Sequence, residues 1–376
     1  MRQEAEMSRR DFLVTTAAVT AAAVACRSAE TKAAPVMDAG QLVELSAADA
    51  VAAMRRGDLK AEDYAAALLA RCEAGKSLNA FITLEPAQVL EAARAADRKR
   101  ASGAALGLLH GLPIPIKDSV NTKDLPTSGG TRSLQGFRPK EDAPVVRSLR
   151  DAGAIVLGKT NIHELSLGWT SNNLAFGAVH NPYDPTRIPG GSSGGTAAAV
   201  AARMAPLGVA EDTEGSIRVP AALCGICGFR PTTKRYPSSG VLPITPLFDQ
   251  VGPHARTVAD LALFDSVAAP DSAPLARTAL AGVRLGIAPG YYFAGLDPEV
   301  ERVIEAALAK LRAAGVVLVE AEVPDLARLV ELITAPVQIH DIFSSVTKYL
   351  ADFGATVTFD QVVAMTSSDV KMMLER

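Results

Sequence analysis

Apolar residues recur at helical spacing over several stretches of the chain and cluster in short blocks between them. Ser46 is placed to cap a helix through about Met54 that Gly57 ends. A second helical pattern covers 62–73, with Leu68, Leu69 and Cys72 on one face. Ala80 to Thr83 fits a short strand, and 86–96 fits a helix with Pro86 near its start. Leu112 to Ile116 is short, apolar and punctuated by proline. The pattern predicts a helix over 143–152 closed by Gly153, then a buried strand over 154–157. It further predicts a small-residue helix over 194–204 and strands over 283–288 and 316–323. Between those two strands, Asp297 caps a long amphipathic helix to Ala314 with Pro298 at its first position. Helices and apolar strands alternate, which argues an α/β fold with a largely parallel sheet.

The N-terminus follows a different logic. Ser8-Arg9-Arg10-Asp11-Phe12-Leu13 is a twin-arginine pattern, and an apolar run from Phe12 to Ala25 follows it. That run falls short of the roughly 20 residues needed to span a bilayer. Ala23-Val24-Ala25 has the small residues of a cleavage site, and Cys26 comes next. The expected organisation is a signal peptide over 1–34 and one domain over 35–376. The mature chain is expected to work outside the cytoplasm, in the periplasm or held to a membrane by a lipid on Cys26.

Composition narrows the chemistry. The 376 residues are 48% hydrophobic and 21% charged, enough apolar content for a sizeable core. A net charge of −3 gives no electrostatic case for nucleic acid as a partner. Four cysteines in so long a chain make no disulfide framework. The five histidines show no close pair and no H-E-x-x-H, so neither a metal nor another cofactor is expected.

Several short patterns compete in the centre of the chain. Gly191-Ser192-Ser193-Gly194-Gly195 has the letters of a nucleophile elbow, but that motif needs a preceding strand, and Arg187-Ile188-Pro189-Gly190 is a poor one. Gly153 to Thr160 has the letters of a phosphate-binding loop. Its central Ala154, Ile155, Val156 and Leu157 read instead as buried strand, where no flexible loop can cradle phosphate. Ser345-Val346-Thr347-Lys348 lacks the partner motifs of a serine β-lactamase and reads as an exposed helix face. Cys224 and Cys227 form a lone C-x-x-C and read as core cysteines near a helix end.

Longer motifs carry more. They are G-L-P-I-P-I-K-D-S at 111–119, G-G-S-S-G-G-T at 190–196 and D-T-E-G-S-I-R-V-P-A-A-L-C-G at 212–225. G-F-R-P-T at 228–232 and D-Q-V-G-P-H-A-R-T-V at 249–258 extend the series. In this order they resemble the amidase signature family over about residues 41–376. The resemblance implies a single domain with a large mixed, mostly parallel sheet flanked by helices on both faces. It also implies a serine–serine–lysine triad at Ser216, Ser192 and Lys117, with a cis peptide at Ser192. Around His163 to Pro185 the sequence looks like the mandelamide and indoleacetamide hydrolase branch, and less like the glutamine-using tRNA amidotransferase subunits.

The chemistry implied is acyl transfer to a small-molecule amide. Ser216 attacks the amide carbon while Ser192 relays its proton to Lys117, which acts as a base in its neutral form after desolvation by Ile114-Pro115-Ile116. Backbone N–H groups of Thr213, Glu214, Gly215 and Ser216 hold the oxyanion. Asp212 and Arg218 brace the nucleophile loop, Asp118 is scaffold, and Ser193 sits near the triad. Trp169 reads as core ahead of pocket wall. Two departures stand out. Glu214 occupies a position where the family usually has Gly, Asp or Asn, and it costs strain if that position needs positive φ. The chain also stops at Arg376, short of the family's usual C-terminal section, with Met365 to Arg376 reading as a helix cut short. The expected activity is an exported amidase for small aryl or aliphatic amides. The alternatives are an impaired amidase-fold protein that binds amides or carboxylates, and an esterase on the same triad.

Overall fold

The computed structural model describes residues 37–271 and 278–375. The twin-arginine segment, its cleavage site and Cys26 lie outside the described residues, and the body of the fold runs from Asp38 onward. A six-stranded mixed sheet forms its centre, from β1 (Phe81–Leu84), β2 (Pro113–Lys117), β3 (Ile155–Thr160), β4 (Leu207–Asp212), β5 (Cys227–Gly228) and β6 (Gln250–Ala255). The order across it is β1-β3-β2-β4-β6-β5. Strands β3, β2 and β4 are parallel neighbours, and β1 and β6 run against them. Every residue of β2, β4 and β6 is buried, as expected for strands covered on both faces.

Local signals set the flanking helices. Ser46 caps the helix Ala47–Arg56 and Gly57 ends it in the left-handed conformation. Val145, Val146 and Leu149 form the buried face of the helix Pro144–Asp151, which Gly153 follows at φ +94°. The strand expected over 154–157 continues through Gly158, Lys159 and Thr160, so the phosphate-loop letters lie in β3. Lys159 is fully buried there and donates to Val120 O at 2.8 Å and Thr127 Oγ1 at 2.6 Å. Burial lowers its ammonium's pKa to about 8, against the nearby Asp118 carboxylate.

Farther along, β7 (Arg284–Ile287) and β8 (Val317–Glu320) pair in parallel with each other as a separate two-stranded sheet. The predicted helix, Pro298–Ala313, joins them, capped by Asp297. A 28-residue helix, Leu326–Phe353, follows. Its C-terminal half packs Ile342, Val346, Tyr349 and Leu350 against Leu134, Leu165, Leu242 and Ile244. The end of the chain is two helices rather than one, Phe359–Met365 and Ser368–Leu374, because Thr366 turns extended and Ser367 starts the second. Cys72 and Cys224 are buried thiols, and Cys227 is half-buried. Among the described residues, no helix is long and apolar enough to cross a membrane, and no cluster of metal-ligating side chains occurs.

Candidate active site

Parallel pairing of β2 with β4 builds the site. Ile116 lies in register with Val209, so the C-terminal ends of both strands open at one edge of the sheet. In open α/β sheets that edge is where ligands bind. Lys117 ends β2, and Glu211 and Asp212 end β4. The helix Gly194–Ala201 packs beside both strands, and Ser192 and Ser193 lie in the turn before it. That turn is threaded through a narrow space. A Cβ on Gly191 would meet the backbone of 169–171 at 2.8 Å, and one on Gly195 would meet Asn161 O at 2.3 Å. The Gly191–Ser192 peptide is cis.

Lys117 is fully buried and its Nζ donates to three oxygens. These are Ser192 Oγ at 2.8 Å, Glu211 Oε2 at 2.8 Å and the Glu211 carbonyl at 3.2 Å. Three acceptors on one nitrogen is the geometry of an ammonium. The expected neutral lysine in an uncompensated apolar site is therefore corrected: a buried carboxylate faces it. Glu211 was missed in the sequence, although a signal existed. It is the first charge in the all-buried strand Leu207–Asp212, and a buried charge needs a partner.

Ser193 Oγ donates to the same Glu211 carbonyl at 3.0 Å, beside the Lys117–Ser192 contact. Ser216 lines a pocket and is only 5% exposed. Among the described residues no hydrogen bond joins its hydroxyl to Ser192, and its backbone N–H has no protein acceptor. The same holds for the N–H groups of Thr213, Glu214 and Gly215. A run of free donors leading to a serine hydroxyl is the arrangement an oxyanion requires.

Asp212 is hydrogen-bonded into this loop. Its carboxylate accepts from Ile217 N at 3.0 Å, from Arg218 Nη2 at 3.0 Å and from Arg230 Nε at 3.2 Å. Burial alone would raise its pKa, but the Arg218 and Ile217 hydrogen bonds and both guanidinium charges hold it below the usual range. His254, fully buried in β6, supports the loop from behind, 2.8 Å from the Ile217 carbonyl. Asp118 stays apart from the triad. It accepts from Ser128 Oγ and, at 3.1 Å each, from Ser128 N and Gly130 N, and it lies 3.7 Å from Lys159.

The pocket above Ser216 holds about 310 Å³. Leu167, Trp169, Ile244, Ile339, Ile342 and Met373 give it apolar walls, with Thr213, Glu214 and Gln338 as polar groups. Trp169 is 56% exposed and lines this pocket, which corrects the core reading. Glu214 is exposed, and its carboxylate accepts from Gln338 Nε2 at 3.1 Å. Its backbone φ is not positive, so the anticipated strain is absent.

Comparison with known proteins identifies the family. The family model described as Amidase matches residues 63–374. The chain belongs to the amidase family. A twin-arginine translocation signal sequence matches residues 6–25, which indicates export by that route. A glutamyl-tRNA(Gln) amidotransferase subunit of Chloroflexus aurantiacus is 44% identical over 76% of this chain and 61% of its own length. The indoleacetamide hydrolase of Agrobacterium vitis is 38% identical over 85% of this chain and 68% of its own. The native peptide amidase of Stenotrophomonas maltophilia superposes with a TM-score of 0.78 at 32% identity, covering 88% of this chain and 75% of that one. This amidase-family chain thus spans about three-fifths of the amidotransferase subunits it matches, and somewhat more of the hydrolases. The amidotransferase relative is the more identical over the shorter span.

Proposed function

We propose that the protein is an exported amidase that hydrolyses small aryl-substituted carboxylic amides to the acid and ammonia. The observation that carries this reading is Ser216, set in an apolar pocket at the end of an unpaired run of N–H groups, in a fold that also buries a Lys117–Ser192 contact. Ser216 attacks the amide carbon, and its proton leaves through Ser192 and Lys117. The N–H groups of 213–216 hold the oxyanion, the relay protonates the departing ammonia, and water releases the acid. Trp169, Ile244 and Ile342 face the acyl group and favour an aryl ring over a charged chain. The product acid is released outside the cytoplasm, in the periplasm or at a membrane to which Cys26 is lipid-linked.

The test is labelling of the purified mature chain by a fluorophosphonate probe, followed by an arylacetamide panel scored for ammonia release. Labelling that vanishes in Ser216→Ala, together with turnover of phenylacetamide, is the expected result. A folded wild-type chain that takes up no probe would overturn the proposal. Glu214 favours one second reading, an amidase-fold protein that binds amides or carboxylates with little turnover. A carboxylate two residues from the nucleophile opposes negative charge developing there. Binding without ammonia release would select that reading. The esterase alternative predicts turnover of phenylacetate esters with none of phenylacetamide.

A further inference from the structure

Thr213 Oγ1 lies 3.0 Å from Glu211 Oε1 and 2.7 Å from Asp249 Oδ1. A hydroxyl has one hydrogen to give, so it cannot donate to both carboxyl groups. One of them must carry a proton and donate to the threonine oxygen. Glu211 has a counter-charge, Lys117 at 2.8 Å. Asp249 has none among the described residues: it faces Glu211 from β4, with Asp341 of the long helix held nearby on Thr245 Oγ1 at 2.6 Å. Its Oδ2 is occupied as an acceptor by Ile244 N at 2.9 Å and Thr245 N at 3.0 Å. The proton therefore sits on Asp249 Oδ1. Burial and then the Glu211 charge also push this carboxyl up to about 7.

We infer that Glu211, Thr213 and Asp249 are positioning residues that extend the proton relay beyond Lys117, with Glu211 taking a lysine proton when Ser216 reacts. The inference rests on the triad reading above. Lys117 as an ammonium has no lone pair with which to accept a proton. It must pass one to Glu211 Oε2 as it takes one from Ser192 Oγ, while Ser192 takes the proton of Ser216. Three bonds to hydrogen break and three form, and the Ser216 oxygen pair forms the new bond to the reacting centre. The Lys117–Glu211 pair goes from zero net charge to +1, and the reverse sequence protonates the leaving group. Asp249 tunes the step. Ionised, it adds a second negative charge across Thr213 and makes Glu211 the better acceptor.

The experiment follows the rate of fluorophosphonate labelling from about pH 5 to about pH 9, with folding of each variant checked by thermal melting. In the wild type the rate should climb through about pH 7, where Asp249 loses its proton. Asp249→Asn imitates the protonated acid and should flatten that climb while still labelling. Glu211→Gln should slow labelling by about tenfold or more, and Glu211→Asp should restore part of the loss. Infrared titration of the wild type supplies a readout independent of reactivity: a protonated-carboxyl band should vanish near neutral pH. An unchanged band there, a Glu211→Gln variant as fast as wild type, or an Asp249→Asn profile that still climbs would each overturn the inference. Labelling that survives Ser216→Ala would instead overturn the triad reading.

Discussion

Single side chains decide how well this site can work. Glu214 is exposed, with its carboxylate on the pocket wall and an amide, Gln338, to hold it. Removing that charge should help a reaction that builds negative charge at the neighbouring N–H groups. Glu214→Gln is expected to raise the labelling rate several-fold to about tenfold. A slower variant would mean that the carboxylate helps orient the loop. Lys117, Ser192 and Ser216 could be singled out in the sequence because each lies in a motif whose neighbours are glycine, proline or small residues. Glu211 could not, because its role depends on which strand pairs with β4. Only the β2–β4 pairing turns a strand-end glutamate into the partner of Lys117.

At the scale of elements, the short loop Thr213–Ile217 between β4 and the helix Arg218–Leu223 is anchored by a buried acid at its start. Asp212 holds one loop amide and two guanidiniums while fully buried. Asp212→Ala leaves Arg230 partly buried without that partner and should cost about 3–5 kcal/mol in urea unfolding. The milder Asp212→Asn should lose less stability yet still slow labelling, because one amide oxygen cannot hold both guanidiniums and the Ile217 N–H as the carboxylate does. The caps, the strand core at 155–157 and the β7–helix–β8 unit were legible from periodicity and capping residues. The helix Leu326–Phe353 was not. Pro336 sits in its interior, where proline normally breaks a helix at a cost of about 3 kcal/mol. Packing of Ile342, Val346, Tyr349 and Leu350 against the core offsets that cost over the second half. The pocket residues Ala335, Gln338 and Ile339 lie around this proline, so the substrate wall was the part of the site least visible in sequence.

For the whole molecule, two buried groups tilt stability against pH in opposite directions. Burial lowers His254 from 6.5 to about 4. Between those values the unfolded chain binds a proton that the folded chain does not. This residue's share of the stability, about 3 kcal/mol, is therefore lost as pH falls through that window. Asp249 is shifted up, so its share is present in acid and lost as pH rises toward 7. The wild type should show a shallow profile between about pH 4 and about pH 7. His254→Asn, which keeps a donor for the Ile217 carbonyl, should leave stability falling as pH rises, and Asp249→Asn should leave it rising. Urea midpoints at three pH values separate these outcomes.

The buried cysteines have a consequence for the order of events in the cell. Twin-arginine export carries chains that have already folded, and the compartment beyond is oxidising. Burial pushes the Cys72 and Cys224 thiols up to about 12, so neither offers a thiolate at neutral pH. A chain threaded across unfolded would expose both to disulfide exchange before its core closed. Folding first makes the core itself the antioxidant: the sheet and its helices shield these sulfurs in the reducing cytoplasm, and the protein arrives outside with both thiols already silenced.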